Sequence, residues 1–483
     1  MLFNTVSYLF FLAISVAIFW VLPQSRRQWL ILTASIVFYA LWRWEFVLLI
    51  MFSAFVDYYF SLKIYEEDNP RRRKLWLLCS LTTNLGLLGY FKYTYFIVDN
   101  IRLIGGSLGE NWTLHPGTII LPLGISFYTF LSISYTLDVY RRLFKPVRNF
   151  ALYLSYVMFW PHMIAGPILR AHELIPQLVR YEAFDINRMA VGVRRILFGL
   201  FLKVALADQL APFVDDAFLA NPLSLSALDV WTMAFGFGLQ IYFDFAGYSM
   251  IAIGSALLLG IHFPENFNWP YMAKSPREFW KRWHITLSSW IRDYLYLPLS
   301  GIHYQDRSEG GLEIQFKAGN TLRLTFALFA TWFLMGLWHG ANWTFAFWGL
   351  WHATFIWFYR IISPRVRRVP SLFTTVVGWG TTLAISMLAW IPFRARSLED
   401  SFVLLGRVLD WRAYSTLSFR ENFYLIVAII FVGMIAMHYA SIMLRQYKYE
   451  LPRQMAEIGL VAICGFVVFI FLRPTNQFIY FQF

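Results

Sequence analysis

The sequence predicts an all-α polytopic integral membrane protein. Of its 483 residues, 58% are hydrophobic and 14% are charged, against about 45–50% and about 25% in soluble domains. Mean hydropathy is +0.52. The apolar residues fall in runs that approach the roughly 20 residues a bilayer-spanning helix needs, and short basic clusters separate them. No polar stretch is long enough to form a soluble domain, so one membrane domain covers 1–483. The net charge of +13 reads as cytosol-facing topology signals. A lipid bilayer is therefore the expected partner, and nucleic acid is not.

In chain order, the candidate spans are 6–22, 29–41, 46–62, 75–95, 119–137, 152–169, 196–219, 228–259, 322–337, 343–362, 372–390, 423–444 and 458–472. Several are short or interrupted by Gly and Pro. About eleven true spans are expected, the remainder being re-entrant segments tolerated because protein surrounds them. The run 6–22 lacks a basic n-region and reads as a first spanning helix, not a cleaved leader. The basic loops around Arg26, Arg71, Arg141, Arg365 and Arg445 are placed in the cytosol, which puts both ends of the chain outside. Cys79 and Cys464 lie inside apolar runs, and no metal-ligand spacing accompanies them.

Polar groups at membrane depth carry the functional argument, because they are costly unless satisfied. Trp338-His339-Gly340-Ala341-Asn342-Trp343 sits between two apolar runs, and Trp351-His352 echoes Trp338-His339. A satisfied core histidine and a functional one are both open readings. Lys203 and Asp208 are five apart, so on a straight α-helix they point about 140° from each other and each needs another partner. Asp244 interrupts an apolar run with tyrosines on either side; it is either a buried acid that holds helices in register or a substrate contact. Pro161-His162 and Gly166-Pro167 predict a helix broken after Phe159-Trp160.

Residues 275–299 read as one amphipathic helix. Ser275 is a candidate N-cap, Pro276 suits the first helical position, and Glu278 takes the capping-box place. Phe279, Trp280, Trp283, Leu287, Trp290, Ile291 and Tyr294 share a sector of about 120°, with His284 at its border. A Trp-rich face opposite a basic one places such a helix in the membrane interface. The basic residues Arg277, Lys281, Arg282 and Arg292 are then either anchors or phosphate ligands.

The string REFWKRWHITLSSWIRDYLYLPL at 277–299, followed by GLWHGANWTFAFWGLWH at 336–352, resembles the membrane-bound O-acyltransferases, in particular the bacterial branch of alginate O-acetylation subunits. LPLGISFYTFLSISYTLDVYR (121–141), FWPHMIAGPILR (159–170), QIYFDFAGYS (240–249) and FPENFNWPY (263–271) extend the resemblance over most of the chain, with a motif-bearing core at about 119–362. The resemblance implies a ring of helices around a central tunnel, with no bound cofactor. It implies a cytosolic thioester donor such as acetyl-CoA, an extracytoplasmic polysaccharide acceptor and a separate extracytoplasmic acetyltransferase as partner. It implies location in a bacterial inner membrane. It maps the family's invariant histidine onto His339 and a second functional histidine onto His284.

A neutral imidazole suits proton abstraction from an alcohol, so His339 is the expected general base, assisted by His284. Asn342 and Asp244 are candidate substrate contacts, Asn342 as donor to an oxyanion. Met250 and Ser300-Gly301-Ile302-His303 depart from the alginate pattern, which bears on the polysaccharide and not on the reaction. D-alanyl transfer to teichoic acid, a flippase without chemistry and an export scaffold are the alternatives.

Overall fold

The computed structural model describes residues 3–109, 115–164, 166–307, 311–315, 320–366, 371–446 and 450–472. The helices in chain order are α1 Val6–Val21, α2 Gln24–Arg43, α3 Glu45–Glu66, α4 Pro70–Leu88, α5 Thr94–Ser107, α6 Ile125–Tyr140, α7 Phe150–Met158, α8 Trp160–Met163, α9 Ala171–Val179, α10 Ile186–Leu200, α11 Asp208–Leu219, α12 Ala227–Leu258, α13 Pro276–Trp280, α14 Ile285–Ile291 and α15 Leu297–Ser300. They continue as α16 Thr321–His339, α17 Trp343–Val366, α18 Leu372–Arg394, α19 Leu398–Leu409, α20 Glu421–Gln446 and α21 Glu450–Phe471. One antiparallel hairpin, His303–Arg307 with Gly311–Gln315, stands outside this all-helical pattern.

Among the described residues, five helices are long and apolar enough to cross a membrane: α3, α12, α16, α18 and α20 (as Glu421–Leu444). Two shorter apolar helices are Val6–Val21 and Glu457–Phe471. Other expected spans are cut into pieces. The run 152–169 becomes α7 and the four-residue α8; the break expected after Phe159-Trp160 falls before Trp160, at Phe159. The run 75–95 passes from α4 into a π-helical turn, Gly89–Tyr93.

The 32-residue helix α12 is the axis of the protein. Nearly all of its apolar window is buried, so protein surrounds it where lipid would surround a peripheral span. It begins with a capping box in which Ser226 Oγ accepts from Asp229 N and the Asp229 carboxylate accepts from Ser226 N. Its closest neighbour is α10, and glycine sets that approach. A Cβ on Gly199 would meet Gly247 O at 2.5 Å, and one on Gly254 would meet Gly192 O at 2.6 Å. Small residues that let two backbones touch are the usual device for helix association in lipid, where burial gives no extra drive.

The same axis carries a correction. Lys203 and Asp208 do pair: Nζ lies 2.7 Å from Asp208 Oδ1 and 2.7 Å from Asp244 Oδ1. A straight α-helix would part them, but Phe201–Ala207 is π-helical. An i→i+5 hydrogen-bond pattern brings residues five apart onto one side. The Lys203–Asp208–Asp244 knot therefore ties α11 to α12.

The segment 275–299 is corrected as well. It is not one interfacial helix but α13, a turn at Lys281–His284, α14, a π-helical turn at Arg292–Tyr296 and α15. Ser275 Oγ caps Glu278 N at 3.2 Å and Pro276 opens α13, as expected. Glu278 reaches back to Lys274 N, one residue beyond the usual box. The break falls at His284, which adopts a left-handed backbone with φ 41° and ψ 57°. Its aromatic side packs into the protein core: Trp280, Trp283 and Trp290 are all buried.

Candidate functional site

His339 is the last residue of α16, and Gly340 carries the chain out of it in extended conformation. The following turn enters α17 at Trp343. The two helices form a tight hairpin, because Gly336 packs against the Phe345 carbonyl and Gly349 against the Trp332 carbonyl. That packing fixes His339 at the rim of the hairpin. Its ring is buried against Trp338 (4.9 Å between centroids), Trp348 (4.9 Å) and Phe393 of α18 (5.4 Å).

A group that the sequence reading passed over closes the end of this helix. Lys92, in the π-helical turn Gly89–Tyr93, donates from Nζ to Trp338 O at 2.6 Å and to His339 O at 3.1 Å. Tyr93 OH donates to Leu337 O at 2.9 Å. Helix C-termini present carbonyls without intrahelical partners, and cations there also meet the negative end of the helix dipole. Three successive carbonyls at the His339 end are thus satisfied by two consecutive residues from another element.

His284 is fully buried, against the ring of Phe245 of α12 at 4.6 Å. Its Nδ1 lies 3.0 Å from Asn266 Oδ1. The same oxygen accepts from Thr286 N (3.3 Å) and Thr286 Oγ1 (2.9 Å), while Asn266 Nδ2 donates to Ser249 Oγ (3.1 Å). These partners assign the Asn266 oxygen as acceptor throughout, so His284 Nδ1 carries the hydrogen and Nε2 holds the lone pair. Nε2 is buried with no hydrogen-bond partner among the described residues. Backbone bonds from Ile285 N to Asn266 O and from Asn268 N to Arg282 O clamp the two strands of this loop together.

The third histidine of the site is His352 on α17, one turn beyond Trp348. Trp348 stands between the two rings, at 4.9 Å from His339 and 4.9 Å from His352. Trp280 of α13 donates from Nε1 to His352 Nδ1 at 3.3 Å. Lys92 reaches the His339 carbonyl, and Trp283, next to His284, meets Trp390 (4.9 Å), which meets Phe393 (5.3 Å), the ring that packs on His339. Residues far apart in sequence thus form one buried imidazole centre inside an aromatic shell.

The remaining expected contacts lie elsewhere. Asn342 is exposed, and its Oδ1 accepts from Thr344 N at 3.0 Å as the cap of α17. Asp244 is engaged by Lys203. Arg282 pairs with Glu278 at 2.8 Å, and Arg292 with Asp293 at 2.6 Å. Arg277 and Lys281 are exposed and make no ion pair among the described residues. Arg292 belongs to a wider network. Arg170 pairs with Asp293, and Tyr294 OH donates to Asp138 Oδ2 at 2.8 Å.

Helices long and apolar enough to cross a membrane, packed with buried imidazoles and aromatic rings, point to a polytopic membrane protein. Comparison with known proteins makes the class specific. The membrane-bound O-acyltransferase family model matches residues 136–398. A probable alginate O-acetylase of Azotobacter vinelandii is 38% identical over 421 residues, 86% of this chain and 78% of that protein. A peptidoglycan O-acetyltransferase of Helicobacter pylori is 35% identical over 442 residues, 84% of this chain and 80% of that protein. A teichoic acid D-alanyltransferase of Bacillus subtilis is 27% identical over 277 residues, 56% of this chain and 66% of that protein. The chain belongs to the membrane-bound O-acyltransferase family. It is an O-acyltransferase and an integral membrane protein.

Proposed function

We propose that the chain moves an acetyl group from cytosolic acetyl-CoA across the membrane towards an extracytoplasmic acceptor, for O-acetylation of a polysaccharide. It would sit in a bacterial inner membrane and hand the group to a separate extracytoplasmic acetyltransferase. The relatives named for alginate and peptidoglycan O-acetylation support acetyl over D-alanyl transfer, since they match a larger share of the chain at higher identity.

The observation that carries the chemistry is that His339 and His284, from separate elements, are both buried in one cluster of aromatic rings, connected through Trp283, Trp390 and Phe393. In the proposed reaction, the acceptor oxygen attacks the thioester carbonyl carbon while its proton passes to imidazole. The carbon–sulfur bond then breaks, and the proton returns to the leaving thiolate. His339 is the proposed proton acceptor. His284, whose lone pair Asn266 leaves open on Nε2, assists by receiving or relaying the proton. General-base action of this kind contributes typically about 10²–10⁴ in rate. Exposed Arg277 and Lys281 are the proposed contacts for donor phosphates, since Arg282 and Arg292 already hold acidic partners.

The test is transfer from labelled acetyl-CoA by detergent-purified protein. His339→Ala should lower it by roughly the full general-base factor, 10²–10⁴, with the protein still folded. Wild-type transfer rates in His339→Ala would end the assignment. Unchanged transfer in His284→Ala would leave that residue a purely structural role.

A further inference from the structure

The tetrahedral intermediate of acyl transfer needs a hydrogen-bond donor for its oxyanion, and Asn342 is exposed, outside the buried imidazole centre. His352 has the required property. An indole N–H only donates, so the Trp280 Nε1 hydrogen bond fixes His352 Nδ1 as an acceptor. It also excludes a proton on that nitrogen. In the neutral ring the hydrogen must then sit on Nε2. That N–H is buried and has no acceptor among the described residues. An unmade hydrogen bond at a buried donor costs free energy and calls for an explanation.

The ring itself cannot easily swing to find a partner. Trp280 meets it edge-on at 4.9 Å, Trp348 at 4.9 Å and Trp332 at 5.5 Å, and His352 is 2% exposed. A single tautomer in a single orientation is therefore held on the far side of the Trp348 ring from His339. His284 is held in the complementary way, with its Nε2 a bare acceptor. The centre thus contains one buried imidazole set to accept and one set to donate.

We propose that His352 is a catalytic residue whose Nε2–H donates to the oxyanion formed from the thioester carbonyl, and that Trp280 is the positioning residue that sets its tautomer. As the acceptor oxygen bonds to the carbonyl carbon, the carbonyl π pair moves onto oxygen and is met by Nε2–H. When the carbon–sulfur bond breaks, the pair returns and the hydrogen bond weakens. His352 keeps its proton throughout, so it does not compete with the base. The inference rests on the acyl-transfer reading of the site.

The experiment compares His352→Phe, His352→Gln and Trp280→Phe with wild type. It uses labelled acetyl-CoA transfer by purified protein, and alkali-released acetate and D-alanine from envelopes of producing cells, which reports ester formation whatever the donor. His352→Phe should lower kcat by about 10²–10³, the usual effect of losing one oxyanion donor, with KM little changed. His352→Gln keeps a donor and should recover part of the loss. Trp280→Phe should lower kcat alone but add nothing to His352→Phe. Wild-type kcat in His352→Phe overturns the proposal, as does a loss that only tracks the amount of folded protein. His339→Ala measured alongside separates the readings, because full activity there removes the base assignment whatever His352 does.

Discussion

His284 depends on Asn266, which lies in the string 263–271 but is not among the expected site residues. The carboxamide oxygen takes three donors and so fixes the tautomer and the ring orientation. Asn266→Ala should slow transfer by about ten- to a hundredfold, as for other groups that orient a functional imidazole. The double variant with His284→Ala should be no slower than His284→Ala alone, since the two act as one unit. Transfer at the wild-type rate in Asn266→Ala would show that the ring needs no such hold. Sequence reading picked out His339 and His284 through their motifs, and noticed His352 only as an echo. Its donor role was invisible because Trp280 and His352 meet only in the fold.

At the scale of elements, the hairpin of α16 and α17 is steadied from outside by the turn Gly89–Tyr93. Hydrogen bonds from charged groups contribute about 1.5–3 kcal/mol each, so Lys92 is a substantial part of that support. Lys92→Met should loosen the end of α16, seen as faster amide hydrogen exchange from Gly340 to Thr344. Unchanged exchange there would remove Lys92 from the account. The apolar runs located most helices, and the prolines placed a break beside Phe159, though after Trp160 and not before it. The break at His284 was illegible because Lys281-Arg282-Trp283-His284 contains neither Gly nor Pro. A left-handed histidine is tolerated there because Asn266 and the backbone bonds of the loop over-determine it. The basic aromatic face therefore looked like an interfacial helix when its indoles belong to the core.

For the whole molecule, α12 is the member that other elements are built upon. Glycine contacts bring α10 against it, and the Lys203 ammonium ties α11 to it through Asp208 and Asp244. Lys203→Met would leave two carboxylates buried together without their cation. Removing one partner of a buried ion pair costs about 3–5 kcal/mol, so the variant should melt well below wild type in detergent. An unchanged melting temperature would mean that water or another group serves the two acids. The membrane class and the family were legible from composition and motifs, whereas this tie was not, because a wheel drawn at 100° per residue assumes an unbroken α-helix.

The π-helical turns at Gly89–Tyr93, Phe201–Ala207 and Arg292–Tyr296 act as angular offsets along their helices. Each carries the equivalent of one extra residue, so everything beyond it is turned by about 100° relative to a regular continuation. Deleting a single residue within Phe201–Ala207 would therefore act like twisting a screw. The half before it would keep Gly192 and Gly199 against α12. The half after it would swing Leu210 and Val214 out of the core and Asp208 away from Lys203. A one-residue change in length, trivial in a loop, would here re-aim an entire half-helix.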